Sequence, residues 1–599
     1  MRCYARPVMR FAWIVAILLG CHRVSSRAID DVHEGFADVH PSLLVTNPRV
    51  LMALELAGWS FGDVFGVRDT SSPRRSDYAE ESAAVLARSP AYADLVAALR
   101  GDLEALAAKS PLAGVGQAYM YRLFDLDWLA STRAHFELVG VVDRFDFRTA
   151  AVPGCGQTRL IYRLAFQPAL ASRPITRLPM TVSVIYLDRG SDCRAVAQRW
   201  LAIESATGLD VAGKLRAGPL AGLVPTAFDR VEIDVQSMRV SAPAADTEIH
   251  AEYILRGFDR VAGRLVPSPL RNSPPADLDA TKLAALRAWI GAHGDAIDAG
   301  TAEVPAELLA TSAVSVTPHG LGRLANRPFK RLLPDSPDAL VRRLDEMSCV
   351  GCHQSRSIAG FHLLGEDRTG GTRDAMTLGI SPHLSEILAW RFRFLHDAAH
   401  AGPVPLSEHA DDAGRYGAHC GPDGWRCAPG LGCQPSIVDG DDIGSCLPAG
   451  AAQAGDPCQR VELVSAFGLD GDTATTDPST ACDGVTAAHP QCDPNAHGFP
   501  GGMCTAKCTL GARVGGAICA RIPHHGFERA CFQPGVKPEE CITKPGNFAL
   551  ALLRACSRTE PCRDDYVCLR MPDVPLDQGA CVPPYFLSQV RVDGPPIDR

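Results

Sequence analysis

Five consecutive residues, Cys349-Val350-Gly351-Cys352-His353, have the types and the spacing to do chemistry. C-x-x-C-H is the attachment signature of a c-type haem, in which both thiols become thioethers. The imidazole that follows the second thiol then serves as the proximal ligand of the iron. A bare C-x-x-C would equally suit a disulfide, a redox couple or half of a zinc site. The adjacent His353 therefore predicts one covalently bound haem and its iron, anchored by Cys349 and Cys352.

The sixth ligand of that iron stays open at the level of sequence. Met376 is the first candidate, because Met/His ligation is the usual cytochrome c arrangement. His383 and His362 are the alternatives, and either would give a bis-histidine haem. Without any sixth side chain the haem would be five-coordinate, which suits gas sensing or peroxide reduction.

The start of the chain has the pattern of an export signal. A basic stretch precedes the apolar run 11–19, which is too short to span a bilayer. The run ends in Leu18-Leu19-Gly20-Cys21, which resembles the lipobox of bacterial lipoproteins. The resemblance implies that Cys21 is diacylated and becomes the mature N-terminus, whereas the alternative is an ordinary signal peptide with a chance Cys. We expect an exported protein, in the periplasm or at the cell surface and anchored to a membrane by lipid.

Composition narrows the classes of partner and activity. The net charge is −9 over 599 residues, and no Lys/Arg cluster interleaved with aromatic residues suggests nucleic acid. Neither a G-x-S-x-G nor a zincin motif is present. An electron carrier or a binding protein is therefore favoured over a catalyst.

The 22 cysteines divide the chain. Sixteen of them lie between Cys420 and Cys581, and Cys155 and Cys193 are alone in the middle and are expected to pair. Setting aside the signal, lipid and haem cysteines leaves an even number, as disulfides in an exported protein require. Zinc is the rival interpretation of the tail, but only Cys504-x3-Cys508 comes close to a ligand spacing.

The cysteine-rich tail contains an internal repeat of four cysteines. The two copies are Cys420-x6-Cys427-x5-Cys433-x12-Cys446 and Cys556-x5-Cys562-x5-Cys568-x12-Cys581. They resemble the short Dickkopf-like cysteine-rich modules of exported proteins from large-genome bacteria such as myxobacteria. The resemblance covers roughly 30 residues in each copy and implies a disulfide-held scaffold without an activity.

Periodicity predicts a multidomain α+β protein. After a linker over 21–45, one α+β domain is expected over 46–325. Its parts are a helical region (46–130), a mainly antiparallel sheet (135–260, with strands at 138–142, 160–162, 180–186, 231–235 and 249–255) and a second helical region (276–325). A cytochrome c-like segment (326–410) and the disulfide-rich tail (411–599, repeats 420–448 and 556–583) follow.

The segment 326–410 resembles a small all-α monohaem cytochrome c domain in its layout. Ser336-Pro337 and Ser381-Pro382 are helix-start signals on either side of the haem motif. In the preceding domain, 142–147 and 154–156 are similar to segments of an uncharacterised family of bacterial exported proteins. That similarity implies no chemistry, and Asp143, Arg144 and Asp146 are expected to form a structural salt-bridge cluster.

Two functions from different classes follow from these patterns. The first is an exported, lipid-anchored monohaem c-type protein that passes single electrons to or from a redox partner protein. The alternative is a haem-free structural or binding lipoprotein of the cell surface. In that case Cys349 and Cys352 would form a disulfide, and the cysteine-rich tail would be the functional surface.

Overall fold

The computed structural model describes residues in two large parts of the chain. The first part lies within 40–402, and the second, the cysteine-rich tail, lies within 416–582. The described residues are 40–68, 78–116, 118–119, 121–147, 154–167, 175–240, 251–275, 278–298, 302–317, 347–349, 353, 361–363, 365, 380–402, 416, 419–420, 427–434, 444–458, 482–493, 502–523, 548–557, 560, 562–563, 566–569 and 579–582. The predicted export signal, Cys21, Cys352 and Met376 lie outside them. Among the described helices, none combines the length and the apolar character that crossing a bilayer requires.

Helices interrupt and follow the strands of the first part. The α-helices are α1 (Pro48–Leu54), α2 (Phe61–Val64), α3 (Ala83–Leu86), α4 (Pro90–Lys109), α5 (Cys193–Leu201), α6 (Asp210–Ala217), α7 (Ala280–Ala292), α8 (Gly294–Asp298) and α9 (Pro382–His400). A π-helical turn spans Glu55–Trp59, and 3-10 turns span Ala79–Glu81, Leu126–Ala130, Phe145–Phe147, Pro225–Ala227 and Ala306–Leu308. The predicted start signal Ser381-Pro382 is confirmed, because the Ser381 hydroxyl oxygen accepts the Leu384 N–H at 3.2 Å.

The strands of the first part form one sheet. They are β1 (Leu44–Val45), β2 (Ala113–Gly114), β3 (Tyr121–Leu123), β4 (Ala134–Arg144), β5 (Gln157–Phe166), β6 (Thr176–Leu187), β7 (Arg230–Val240), β8 (Ala251–Val261), β9 (Arg264–Ser268) and β10 (Ser312–Thr317). Their order is β1-β4-β5-β6-β7-β3-β2, and β8 pairs with β7, β9 and β10. All pairs are antiparallel except β2–β3, so the predicted, largely antiparallel sheet is confirmed.

Three of the described strands lie where the sequence predicted helix, namely β2 and β3 in the stretch 46–130 and β10 in the stretch 276–325. Helices α7 and α8 lie in the stretch 276–325, as predicted, but residues 312–317 of that stretch form β10, which pairs with β8. The sequence of β10, Ser-Ala-Val-Ser-Val-Thr, is rich in small and β-branched residues, which fit a pleated edge better than a helix. Pairing with a long existing strand decides the conformation of such a short segment.

The two faces of the sheet differ in polarity. On β5, β6 and β7 the core side carries Leu160, Tyr162, Val182, Val184, Val231 and Val235, all fully buried. Tyr162 donates its hydroxyl to the Trp59 carbonyl at 2.8 Å, which shows that the N-terminal helices cover this face. Because side chains alternate along a strand, Arg159, Ser183, Glu232 and Asp234 point to the opposite face. That face receives the cysteine segment and α9.

Helix α9 belongs to the core of the α+β domain. Leu384, Leu388 and Leu395 are buried in the same apolar cluster as the sheet, and the Ala399 carbonyl accepts hydrogen bonds from two α5 side chains, Arg194 and Gln198, at 3.1 Å. We expected this helix to close a separate cytochrome c-like unit. Instead its apolar face is buried against the larger domain, because nineteen residues of amphipathic helix need a bigger surface than a short segment provides.

The cysteine-rich tail is built from short strands held by disulfides. The strands are β11 (His419–Cys420), β12 (Leu431–Gln434), β13 (Gly444–Pro448), β14 (Pro490–Asp493), β15 (Met503–Ala506), β16 (Arg513–Val514), β17 (Ala517–Pro523), β18 (Phe548–Cys556), β19 (Val567–Leu569) and β20 (Gly579–Val582). The described disulfides here are Cys420–Cys433, Cys427–Cys446, Cys458–Cys492, Cys482–Cys504, Cys508–Cys519, Cys556–Cys568 and Cys562–Cys581.

The internal repeat is confirmed in three dimensions. In each copy the first cysteine bonds the third and the second bonds the fourth. The registers agree as well, since Cys433 faces Cys446 across β12–β13 and Cys568 faces Cys581 across β19–β20. The equal cysteine spacing therefore encodes one small disulfide-held fold used twice.

Candidate cofactor site

Cys349 and His353 open onto one cavity between the polar face of the sheet and α9. The cavity has a volume of about 250 Å³ and is partly open to solvent. Both residues are helical, and both side chains line this cavity. The structure thus brings together the two described members of the predicted haem motif.

His353 is held by a buried carboxylate of β7. Its Nδ1 lies 2.8 Å from Oδ2 of Asp234, whose side chain is 5 % exposed. When Asp234 is ionised its carboxylate can only accept, so Nδ1–H is then the donor and Nε2 is the nitrogen through which His353 would bind a metal. Burial raises the pKa of Asp234, and the charge and hydrogen bond of His353 oppose that rise.

His362 also lines the cavity, beside His353 rather than opposite it. The two ring centroids are 4.5 Å apart. Two histidines on opposite sides of one iron, each with a metal–nitrogen bond of about 2 Å, would place their centroids about 6 Å apart. Two hydrogen bonds to Ser381 fix His362. The Ser381 hydroxyl lies 3.0 Å from Nδ1 of His362, and the Ser381 backbone N–H donates to the His362 carbonyl. In this arrangement His362 is therefore not placed as a sixth ligand.

Two glycines allow residues 361–363 and 365 to approach the sheet closely. A Cβ on Gly140 would lie 2.8 Å from a methyl carbon of Leu363, and one on Gly365 would lie 2.6 Å from the Val139 side chain. Gly365 also has φ +79°, a conformation that favours glycine. The β-bulge between Leu138 and Gly140 is at the same place. This contact sets the height of His362 above the sheet.

Cys349 has a free thiol in the structure rather than a disulfide. Its backbone N–H donates to the Arg271 carbonyl at 3.1 Å, and its side chain packs against Leu255 and Leu270. Burial raises the pKa of the thiol, and the nearby Glu232 adds to the rise. The protonated thiol is therefore the resting form, and the disulfide required by the haem-free alternative is not the arrangement found.

The floor of the cavity is an ion-pair network on β5 and β7. Glu232 binds Arg159 at 2.8 Å and Arg230 at 3.0 Å. Burial alone would raise the pKa of Glu232, but the two guanidinium groups outweigh it and hold that pKa at about 2. The network stays ionised at neutral pH and keeps this end of the cavity polar.

Two members of the predicted salt-bridge cluster, Arg144 and Asp146, line the cavity as well. Arg144 forms a bidentate pair with Asp146, its Nε at 3.0 Å and its Nη2 at 2.8 Å from the carboxylate, as expected of a structural salt bridge. Arg391 from α9 reaches the same carboxylate at 3.7 Å. Asp143 is buried, and burial followed by the charge of Asp146 raises its pKa well above the usual value. Arg144 and Asp146 are therefore part of the wall of the site, which the sequence did not predict.

The remaining predicted site residues are placed as follows. Met376, Cys352 and Cys21 lie outside the described residues. His383 is in the first turn of α9, and its side chain is not among the described ones. The disulfide between Cys155 and Cys193 is confirmed.

The described part of the tail offers no free thiol for zinc. Cys504 bonds Cys482, and Cys508 bonds Cys519, so the one near-match to zinc spacing is not a ligand pair. The three clusters of cysteine sulfurs in the tail are likewise accounted for by disulfides.

Sequence reasoning missed the wall of the cavity, namely Arg159, Glu232, Asp234, Arg271 and Arg391. One signal was present, because Glu232 and Asp234 alternate with valine and isoleucine and so put two acids on one face of a strand. Comparisons of the chain with protein-family models, with curated proteins and with solved structures found no match. The functional conclusion therefore depends on the geometry of this cavity.

Proposed function

We propose that the protein carries one c-type haem, covalently attached through Cys349 and Cys352, and transfers single electrons. The observation that supports this most directly is the pairing of His353 with Asp234 beside the free thiol of Cys349, all in one cavity. Metal-binding histidines usually donate their second ring N–H to a carboxylate or a carbonyl, which fixes the tautomer and the ring orientation. His353 already has that arrangement.

The donor set fits a haem. The thiol and the imidazole stand at the i and i+4 positions that the C-x-x-C-H motif needs, and both reach the cavity. Leu255, Leu270 and Leu363 are among the apolar side chains that line the cavity, and they would exclude water from part of a bound group.

The enclosed space fits a haem only in part. Its volume of about 250 Å³ lies below the roughly 300–1,000 Å³ of pockets for drug-sized ligands. A haem at this site would therefore require the cavity to widen.

Each residue of the site then has a defined task. A bound haem supplies one-electron redox chemistry. Asp234 orients His353 and increases the basicity of its Nε2. The ionised Arg159–Glu232–Arg230 network keeps one end of the cavity polar. Cys349 stays protonated until it is consumed in thioether formation.

The test is attachment of haem to the full chain made with a cytochrome c maturation system. We expect a pyridine haemochrome spectrum of a c-type haem and one haem mass on the peptide that contains residues 349–353. His353→Ala should abolish the native axial ligation. His396→Ala, at an exposed position on α9, is the matched control and should leave the spectrum unchanged. A wild-type chain without covalent haem would reject the proposal.

We propose further that the protein is exported and held to a membrane by lipid on Cys21, with a redox protein as its partner. The support is the sequence pattern around Cys21 together with the extensive disulfide bonding of the tail, which requires an oxidising compartment. Mass analysis of the mature N-terminus tests the anchor. An unmodified Cys21, or a mature N-terminus at another residue, would contradict it.

A further inference from the structure

Three arginines on one wall of the cavity share a single carboxylate. Asp146 is bound in bidentate fashion by Arg144, and Arg391 and Arg271 also act on it electrostatically. Arg271 has a second partner in Glu303, but the distance is 3.6 Å and both side chains are about a quarter exposed. Positive charge on this wall therefore exceeds the negative charge that faces it.

Two of these arginines keep buried donors without acceptors. The Nε atoms of Arg391 and Arg271 have no hydrogen-bond partner among the described residues. The Arg391 side chain is only 6 % exposed, so its guanidinium cannot rely on bulk water. A buried cationic donor without an acceptor is costly, and an anion in the cavity would remove that cost.

The neighbouring groups do not supply the missing acceptor. The Phe147 ring centroid lies 3.7 Å from the guanidinium carbon of Arg144 and 4.1 Å from that of Arg271. An aromatic face attracts a cation but does not accept the N–H hydrogen bonds of a guanidinium group. Asp143 is close, but its raised pKa favours the neutral carboxyl. The wall thus keeps its excess of donors.

The chemistry of the remaining lining says what kind of anion fits. Next to Arg391 on α9, Leu384, Ile387 and Trp390 line the cavity, and Leu255, Leu270 and Leu363 line it as well. A sugar phosphate would fit poorly, because its hydroxyl groups would be buried against these apolar side chains. An apolar framework that ends in a carboxylate suits both the apolar side chains and the arginines. The reason is that Arg pairs with carboxylate through two parallel hydrogen bonds.

We propose that Arg144, Arg271 and Arg391 form a binding site for the carboxylate of an apolar ligand in this cavity. The carboxylate has two possible sources, the edge of the attached haem or a free apolar acid. The first source rests on the proposed function, whereas the site itself does not.

The test uses the full chain made without haem attachment and titrated with metal-free protoporphyrin IX. Its dimethyl ester is the matched ligand, because it has the same ring without the carboxylates. Binding is followed by quenching of tryptophan fluorescence, to which Trp390 in the cavity wall contributes. We expect the acid to bind roughly tenfold or more tightly than the ester. Decanoate and decanol repeat the comparison for a free apolar acid.

Variants then assign the effect to the arginines. Arg391→Gln should reduce the preference for the acid at least severalfold, and Arg391→Lys should keep part of it. Arg393→Gln is the control, at an exposed position of the same helix outside the cavity wall. Circular dichroism verifies folding, and the comparison of acid and ester in the wild type needs no variant.

Each outcome has one meaning. A preference for protoporphyrin over its ester that depends on Arg391 assigns the haem edge, and the same preference for decanoate alone assigns a free acid. Equal binding of acid and ester for both ligands, or a preference that Arg391→Gln leaves intact, overturns the proposal. Metal-free porphyrin needs neither thioethers nor iron ligation, so this result is independent of whether covalent haem forms.

Discussion

His353 Nδ1 and Asp234 Oδ2 lie 2.8 Å apart, and the carboxylate is almost completely buried. In a protein that carried the proposed haem, that hydrogen bond would give the imidazole anionic character, which would stabilise oxidised iron. Asp234→Asn should therefore raise the midpoint potential by about 60 mV or more, the equivalent of a tenfold change for one electron. Spectroelectrochemistry measures it. A potential that does not move would show that Asp234 only packs against the ring.

Glu232 should stabilise the protein in a way that depends on pH. Its pKa is about 2 in the folded protein, below the value of 4.5 for an unperturbed glutamate. Its contribution is therefore present above pH 4.5 and is lost as the pH falls from 4.5 to 2. The shift corresponds to about 3 kcal/mol. Glu232→Gln should lose about this much free energy of unfolding at pH 7.

The measurement is denaturant unfolding of the two proteins at pH 7 and pH 3. We expect their difference to shrink at the lower pH. Glu303→Gln is the control, since this carboxylate is more exposed and lies 3.6 Å from Arg271. The Glu303→Gln variant should lose less than about 1 kcal/mol of free energy of unfolding. An equal loss in both variants would argue against a special role for the Glu232 network.

Asp143 should have the opposite pH dependence. Its pKa is raised on folding, so the neutral carboxyl is stable below pH 3.8 and stability is lost as the pH rises through the folded pKa. Asp143→Asn keeps an acceptor for the Phe145 N–H, which now bonds Oδ1 at 3.0 Å. We expect the variant to be more stable than wild type at pH 8 and equal to it at pH 3.5. Lower stability at both values would mean that Asp143 is ionised and paired with an arginine.

Gly365 should be intolerant of a side chain for two separable reasons. It has φ +79°, and a Cβ would lie 2.6 Å from Val139. Gly365→Ala should cost roughly 2–4 kcal/mol and displace His362. Gly263→Ala is the control, because Gly263 has φ +80° with nothing within 4 Å, and it should cost only roughly 1 kcal/mol. Thermal unfolding of both variants measures the difference, and equal costs would mean that the contact with Val139 is not tight.

The two cysteine repeats should respond alike to loss of the equivalent bridge. Cys427–Cys446 and Cys562–Cys581 both span 19 residues, and closing such a loop is worth about 3 kcal/mol. Replacing either pair with serine should make that repeat, and not the other, sensitive to limited proteolysis. Mass mapping of the fragments shows which repeat opens. Cleavage in both repeats after one replacement would show that they do not fold independently.

Sequence alone determined the features that depend on local spacing. The alternating pattern of β4 to β8 predicted the strands, Ser381-Pro382 predicted the start of α9, and equal cysteine spacing predicted the repeat. These signals are reliable because a strand face, a helix cap and a disulfide loop are each defined by a few neighbouring positions.

Tertiary structure decided which distant residues meet. Asp234 lies 119 positions before His353, and Arg391 approaches Asp146 only because α9 packs on the larger domain. No local pattern records such contacts, since they follow from how the sheet twists and which surface is large enough to cover a helix. The sequence thus identified Cys349 and His353 as candidate site residues. The fold placed beside them the carboxylates and arginines that act on the pKa of Cys349 and on the orientation of His353.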